Sequence, residues 1–203
     1  MRGAGLAKTK VTRRTVARVI AVEAVGDVAA DDVVLVTPEL AKVFGVEVVV
    51  TPPMPLPRNA LDPRREQYLA RTIIDELARR KRTEWDRLLG VVGEDLYAPG
   101  LNFVFGEADA QRGVAVFSLA RLRSGPTSPT AVAQFRRRAA TEAIHEIGHT
   151  YGLGHCEDPH CVMWFSNTLA ETDRKGRAFC TKHQAQLARR QPELDRHRGS
   201  QPT

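Results

Sequence analysis

The sequence predicts an α/β (α+β) fold, and three observations carry that expectation. Strand-like and helix-like segments alternate over residues 16–93, apolar runs then cluster between 88 and 119, and a long amphipathic helix follows from Ser128. With 203 residues, 42% of them hydrophobic, the chain can bury one ordinary core. A single domain spanning 1–203 is expected. Its larger N-terminal lobe would cover residues 15–152 and a small C-terminal lobe 153–190, with flexible tails at 1–14 and 191–203.

Taken in order, residues 1–14 are basic and polar and read as a frayed arm. Val16–Val25 has the β-branched character of a first strand; Arg18 and Glu23 interrupt it, so it is no signal-peptide core. Pro38 marks the start of a helix, and Val46–Val50 a second strand. Thr51–Arg58 holds four prolines in eight residues, which predicts extended loop, because proline donates no hydrogen bond. Asp62-Pro63 has the form of an N-cap followed by proline in the first turn, predicting a helix to about Arg82. Tyr68, Ile73 or Ile74, and Leu77 would face inward, and Arg79-Arg80-Lys81-Arg82 would form a solvated C-terminal cap. Leu88–Gly93 is a short continuous apolar run, as in a strand buried on both faces. Leu101–Gly106 and Val114–Leu119 add two more strands, separated by a polar turn at Glu107–Gly113. Ser128 as N-cap and Pro129 in the first turn open the long helix, which runs to about Tyr151. Val132, Phe135, Ala139, Ala143 and Ile147 step along one of its faces. After Gly152 regular patterning stops, apart from a helix at Lys182–Arg190.

Composition narrows the function classes. The formal charge is +6, from 30 Lys plus Arg against 24 Asp plus Glu, but the basic residues are dispersed and only 6% of the chain is aromatic. Nothing resembles a base-stacking platform, which weighs against nucleic acid as a partner. No stretch approaches the roughly 20 apolar residues that cross a bilayer, and no export signal is evident, so a cytoplasmic, membrane-free and monomeric protein is expected.

The long helix ends in His145-Glu146-Ile147-Gly148-His149-Thr150-Tyr151-Gly152-Leu153-Gly154-His155, which has the spacing H-E-x-x-H-x-x-G-x-x-H. Four residues apart, His145 and His149 share one helix face and can grip one ion. Glu146 lies where a carboxylate can take a proton from a water. Gly152 accepts positive φ, so the chain can leave the helix and bring His155 round as a third ligand, with a fourth position left open. The core face of the helix lies opposite, which puts the helix between a core and a cleft.

All three cysteines follow this motif: Cys156, Cys161 and Cys180. An odd, clustered set without an export signal argues for metal ligation over disulfides. With His183, three residues after Cys180, they fit a closed tetrahedral zinc site, which would fold a segment poor in apolar residues. His160 is the alternative fourth ligand, although it adjoins Cys161 and the two would reach one ion awkwardly. Two zinc ions per chain are therefore expected, one catalytic and one structural.

The run HEIGHTYGLGHC-EDPH-CVM followed by C-x-x-H resembles the archaemetzincins, a branch of the metzincin zinc metallopeptidases. LNFVFGEA and VAVFSLARL ahead of the helix are also similar to that family. The family's final C-x-x-C appears here as Cys180-x-x-His183. The resemblance implies a metzincin (zincin-like) fold with a mixed five-stranded sheet over the active-site helix. It also implies an edge strand lining the substrate cleft, a lower lobe clamped by zinc, and Met163 in a tight turn beneath the metal site. It further implies a peptide substrate, attacked at the amino end of short peptides.

Read together, these features predict a zinc-dependent peptidase. His145, His149 and His155 would bind the catalytic ion, Glu146 would act as general base, and Val114–Leu119 would be the edge strand that pairs with substrate. Tyr151 and Tyr97 are candidates for stabilising an oxyanion. The alternative is a non-catalytic zinc-binding interaction protein on the same fold; Glu146 argues against it, since a structural three-histidine site needs no carboxylate there.

Overall fold

The structure, a computed structural model, describes residues 18–123 and 128–198, with side chains as far as residue 191. The chain runs through β1 (Val19–Val25), α1 (Ala30–Val34), α2 (Thr37–Phe44), β2 (Glu47–Met54), β3 (Leu61–Asp62), β4 (Gln67–Leu69), α3 (Ala70–Arg80) and β5 (Arg87–Val92). It continues through β6 (Leu96–Tyr97), β7 (Gly106–Asp109), β8 (Val114–Ser118), α4 (Pro129–Thr150), α5 (Leu169–Arg174) and α6 (Thr181–Arg198). The mixed five-stranded sheet has the order β2-β1-β5-β8-β7, parallel except for the antiparallel β7. A small second sheet has the order β3-β4-β6.

Helices cover both faces of the large sheet, so β5 and β8 are buried throughout and β1 from Ile20 onward, which is why Leu88–Val92 and Val114–Phe117 read as continuous apolar runs. One face packs Ala21, Leu88, Val114 and Val116 against Ile73, Ile74 and Leu77 of α3. The other packs Ile20, Leu89, Val91 and Phe117 against Leu40 and Phe44 of α2 and Phe135, Ala139, Ala143 and Ile147 of α4. Val132, the first residue of the expected inner line of α4, is 39% exposed, because the helix enters the core only after its first turn.

Several expectations change. Asp62-Pro63 opens a hairpin turn instead of a helix: Asp62 Oδ1 accepts from the amides of Arg64 and Arg65, and Leu61 pairs with Tyr68. The same dipeptide suits both structures, and the 3.6-residue apolar period starts only at Ala70. Thr51–Met54 continues β2, which is an outer strand and so tolerates Pro52 and Pro53. Arg80 is no solvated cap; its Nε lies 2.6 Å from the buried carboxylate of Glu23 in β1. The strand expected at Leu101–Gly106 instead begins at Gly106 and occupies part of the polar turn, and α6 carries helical backbone to Arg198. The expected arm at 1–14 and residues 199–203 of the expected tail lie outside the described residues.

Most important for function, Val114–Ser118 is not the edge strand. It lies between β5 and β7 and is wholly buried, so β7 is the edge. β7 was illegible as a strand because its Glu107 and Asp109 face Arg71 and not a greasy core.

The C-terminal lobe is fastened to α4 by a buried arginine. Arg138 donates from Nε and Nη2 to the two oxygens of Asp173 in α5, at 2.7 and 2.6 Å, and from Nη1 to Leu122 O at 3.0 Å. The Arg138 hydrogen bonds, burial notwithstanding, hold the Asp173 carboxyl below its ordinary value. A depressed carboxylate pKa stabilises the fold above the unfolded value of about 4, and that stabilisation is lost as pH falls through the lower folded value. Asp173→Asn should lower Tm at pH 7 by ~2–4 °C, about 1 kcal/mol after solvent screening, and the deficit should shrink as the pH falls below the unfolded carboxylate value of about 4 in thermal melts. A deficit independent of pH would show that the ion pair contributes no charge-dependent stability.

Candidate active site

Ser128 caps α4 by accepting from the amide of Ala131, Pro129 fills the first turn, and Gly152, at φ +76°, ends it. These signals fix where the last helical turn stops. There His145, His149 and His155 converge, with donor atoms all within 4.8 Å of one another and Nε2 of His145 and His149 3.1 Å apart. Nitrogens of a tetrahedral zinc site, with bonds of about 2.0–2.1 Å, stand about 3.4 Å apart, so the residues fit such an ion. Two backbone carbonyls orient the rings: Nδ1 of His145 lies 2.8 Å from Val162 O, and Nδ1 of His149 lies 2.8 Å from Leu153 O. A carbonyl only accepts, so Nδ1 carries the hydrogen in both rings and Nε2 keeps its lone pair. Burial, followed by the nearby Lys175 ammonium, holds His145 far below its usual pKa; burial brings His149 down to about 4 and also lowers His155. The rings are thus neutral at pH 7, as metal ligands must be.

Glu146 is buried, and its pKa is pushed well up, first by that burial and next by the neighbouring Glu142. It lies against the edge strand at Gly106, where a Cβ would stand 2.6 Å from Glu146 Cδ. Only glycine permits this approach. Glu142, one turn earlier on α4, pairs with Lys175 at 3.1 Å; both are buried, and Lys175 is fully so. Lys175 Nζ also stands 3.3 Å from His145 Nδ1. The sequence did not reveal Lys175, which sits between Arg174 and Gly176 and looks like an ordinary surface lysine. Gly106 and Glu142 were equally unmarked; only the i, i+4 spacing of Glu142 from Glu146 offered a signal.

The second cluster also assembles. Cys156 Sγ lies 3.8 Å from Cys180 Sγ, and His183 Nδ1 lies 3.3 Å from Cys180 Sγ and 3.7 Å from Cys161 Sγ. Tetrahedral zinc with Zn–S of about 2.3 Å spaces its sulfurs about 3.8 Å apart, so these four residues fit as well. His160 is exposed and stands outside the group, whose fourth member is His183. Burial opposes ionisation of Cys180, but hydrogen bonds from His183 prevail and bring it down to about 6; burial drives Cys161 up to about 12. Met163 is fully buried beneath α4 against Gly148, in a turn closed by the bond from Trp164 N to Cys161 O. The two tyrosine candidates fall elsewhere. Tyr151 is buried and donates to Asp86 at 2.6 Å, with Arg87 over its ring, and Tyr97 carries Arg65 over its own.

A cleft of about 530 Å³ opens over this site, lined by β7, Glu142, Glu146, the three histidines and Phe165–Asn167. The model of peptidase family M54 matches residues 33–189. The chain belongs to peptidase family M54, the archaemetzincins. The archaemetzincin of Methanopyrus kandleri is 49% identical over 127 residues, covering 63% of this chain and 69% of that protein. Its crystal structure superposes with a TM-score of 0.78 at 39% identity, over 90% of this chain and 99% of that one. A zinc-dependent peptidase from Methanocorpusculum labreanum gives a TM-score of 0.74 at 31% identity, over 83% and 99%. Like the archaemetzincins it resembles, the chain is a zinc metallopeptidase, and no helix among its described residues is long and apolar enough to cross a membrane. If the approach of Glu146 to β7 matters, Gly106→Ala should cut peptidase activity about 10²-fold while the unfolding temperature stays near that of the parent. Parental kcat/KM in that variant would contradict the close approach.

Proposed function

We propose that this archaemetzincin hydrolyses short peptides at a zinc ion held by His145, His149 and His155, with Glu146 as general base. We further infer a second, structural zinc held by Cys156, Cys161, Cys180 and His183. The observation that carries the reading is a buried carboxylate in the same cleft as three neutral, lone-pair-bearing imidazoles. A zinc ion held by these histidines would supply a Lewis acid able to lower the pKa of a water and polarise a carbonyl. Glu146, with its raised proton affinity, suits both taking a proton from that water and delivering it to the departing amine.

The edge strand supports the substrate class. Ser118 N donates to Phe105 O, so residues 105, 107 and 109 of this antiparallel pair spend their backbone groups on β8. Gly106 and Ala108 therefore turn N–H and C=O toward the cleft, where an extended peptide can add as a strand. A cleft of about 530 Å³ suits a few residues of extended chain, and the family likeness is what favours cleavage near the amino ends of short peptides. The chain would act as a single catalytic domain, 1–203, monomeric and cytoplasmic; the three cysteines are free thiols placed where they could hold a metal, which suits a reducing compartment.

Glu146→Gln should lower kcat/KM ~10²–10⁴-fold at unchanged zinc content. Equal activity in the variant, or no cleavage of any peptide by the fully zinc-loaded parent, would overturn the enzymatic reading in favour of a zinc-binding interaction protein. Cys156 follows His155 directly, so Cys156→Ser should also weaken zinc binding at the three-histidine site about 10-fold in a chelator titration. Unchanged affinity would show that the two sites are independent.

A further inference from the structure

Among the described residues, six large apolar side chains are substantially exposed, and two of them, Leu101 at 50% and Phe165 at 48%, line the cleft. Phe165 is the aromatic one. Isolated exposed apolar residues are ordinary on a protein surface, but these two face one cavity over the metal-ligand histidines. Phe165 packs its ring 4.8 Å from that of His155, itself exposed, so it borders the position at which a scissile bond would lie.

Both side chains stand on pinned backbone. Leu101 O and Asn102 O accept from Arg65 Nη2 at 2.9 and 2.8 Å, and Asn102 O also accepts from Gln67 Nε2. Phe103, next along the same bank, is wedged between Phe105 and the guanidinium of Arg121, which Asp95 holds with two bonds of 2.7 Å. On the other bank, Phe165 lies between the closed turn at Cys161–Trp164 and Ser166, whose hydroxyl lies 3.2 Å from Thr172 Oγ1 and can donate to it; Asn167 N donates to Glu171 Oε2. Fixed apolar surface of this kind loses little entropy when a ligand covers it.

We propose that Phe165, assisted by Leu101, forms a specificity subsite for a bulky apolar side chain, aromatic or branched aliphatic, at a residue flanking the scissile bond. The proposal rests on the peptidase reading above. An extended peptide paired with β7 sends alternate side chains to opposite sides, so one side chain beside the reacting carbonyl comes over the His155–Phe165 bank. Covering that surface with a large apolar group instead of a methyl is worth ~10–100-fold in kcat/KM.

The test is a set of peptides differing only at the two residues that flank the cleaved bond, assayed with zinc-loaded enzyme. The parent should prefer Phe, Leu or Ile over Ala at one of those positions by ~10–100-fold. Phe165→Ser should collapse that ratio below ~3-fold, Phe165→Leu should keep most of it, and Leu101→Ser should reduce it partly. Val50→Thr, which alters an exposed apolar residue on the far edge of the sheet, should leave it as in the parent. Calorimetric binding of the same peptides to zinc-loaded Glu146→Gln, with and without Phe165→Ser, separates recognition from chemistry and should show the same loss of discrimination. Cleavage by the parent without apolar preference, or a preference that survives Phe165→Ser, would overturn the subsite and leave the peptidase reading intact. Failure of the parent to cleave any peptide would remove both.

Discussion

Two backbone carbonyls decide what the histidines can do. Val162 O and Leu153 O each accept from an Nδ1, leaving Nε2 of His145 and His149 free. Neither carbonyl belongs to the sheet or to α4; both come from the segment that follows the helix, which packs Leu153, Val162, Met163 and Phe179 into the core beneath α4. That segment is tied to itself by Cys156 N bonding Met163 O, Val162 N bonding Ala178 O, and Cys180 N bonding Cys161 Sγ. The proposed structural ligands are interleaved with these bonds: Cys161 immediately precedes Val162, and Cys156 immediately follows His155. The proposed second ion would thus hold the carbonyl behind one histidine and the backbone of another.

Behind the cleft the structure accepts an electrostatic cost. Glu142 and Glu146, one turn apart, both lie out of water, and like charges there repel. Lys175, fully buried, answers Glu142 directly, while Thr172 Oγ1 donates to the same oxygen at 3.3 Å. Buried pairs of this kind seldom add net stability relative to apolar packing, but they punish loss of either partner. Here the pair joins the start of the α5–α6 connection to α4, beside His145, as Arg138 and Asp173 join α5 to α4 one turn earlier.

The parts of the molecule legible in the sequence are those where chemistry leaves few substitutes. The histidine spacing, the cysteine cluster, the Ser128–Pro129 start of α4 and the apolar run of β5 all stand where expected. Illegible parts depend on three-dimensional partners. β7 carries charges because Arg71 lies across from it, and Val114–Ser118 looked like an edge only because nothing in its sequence names the strand beyond it. Asp62-Pro63 served a hairpin because the helical period starts later. Lys175 looks like a surface lysine and Phe165 like one more apolar residue after Met163, and only packing shows one to be sealed under α4 and the other to stand over His155.

The account stands or falls on two separate ions in two separate ligand sets. Zinc-edge anomalous diffraction from crystals of the purified protein measures that most directly. Two peaks per chain are predicted, one touching His145, His149 and His155 and the other Cys156, Cys161, Cys180 and His183. A single peak, or one ion shared across the His155–Cys156 peptide, would contradict it.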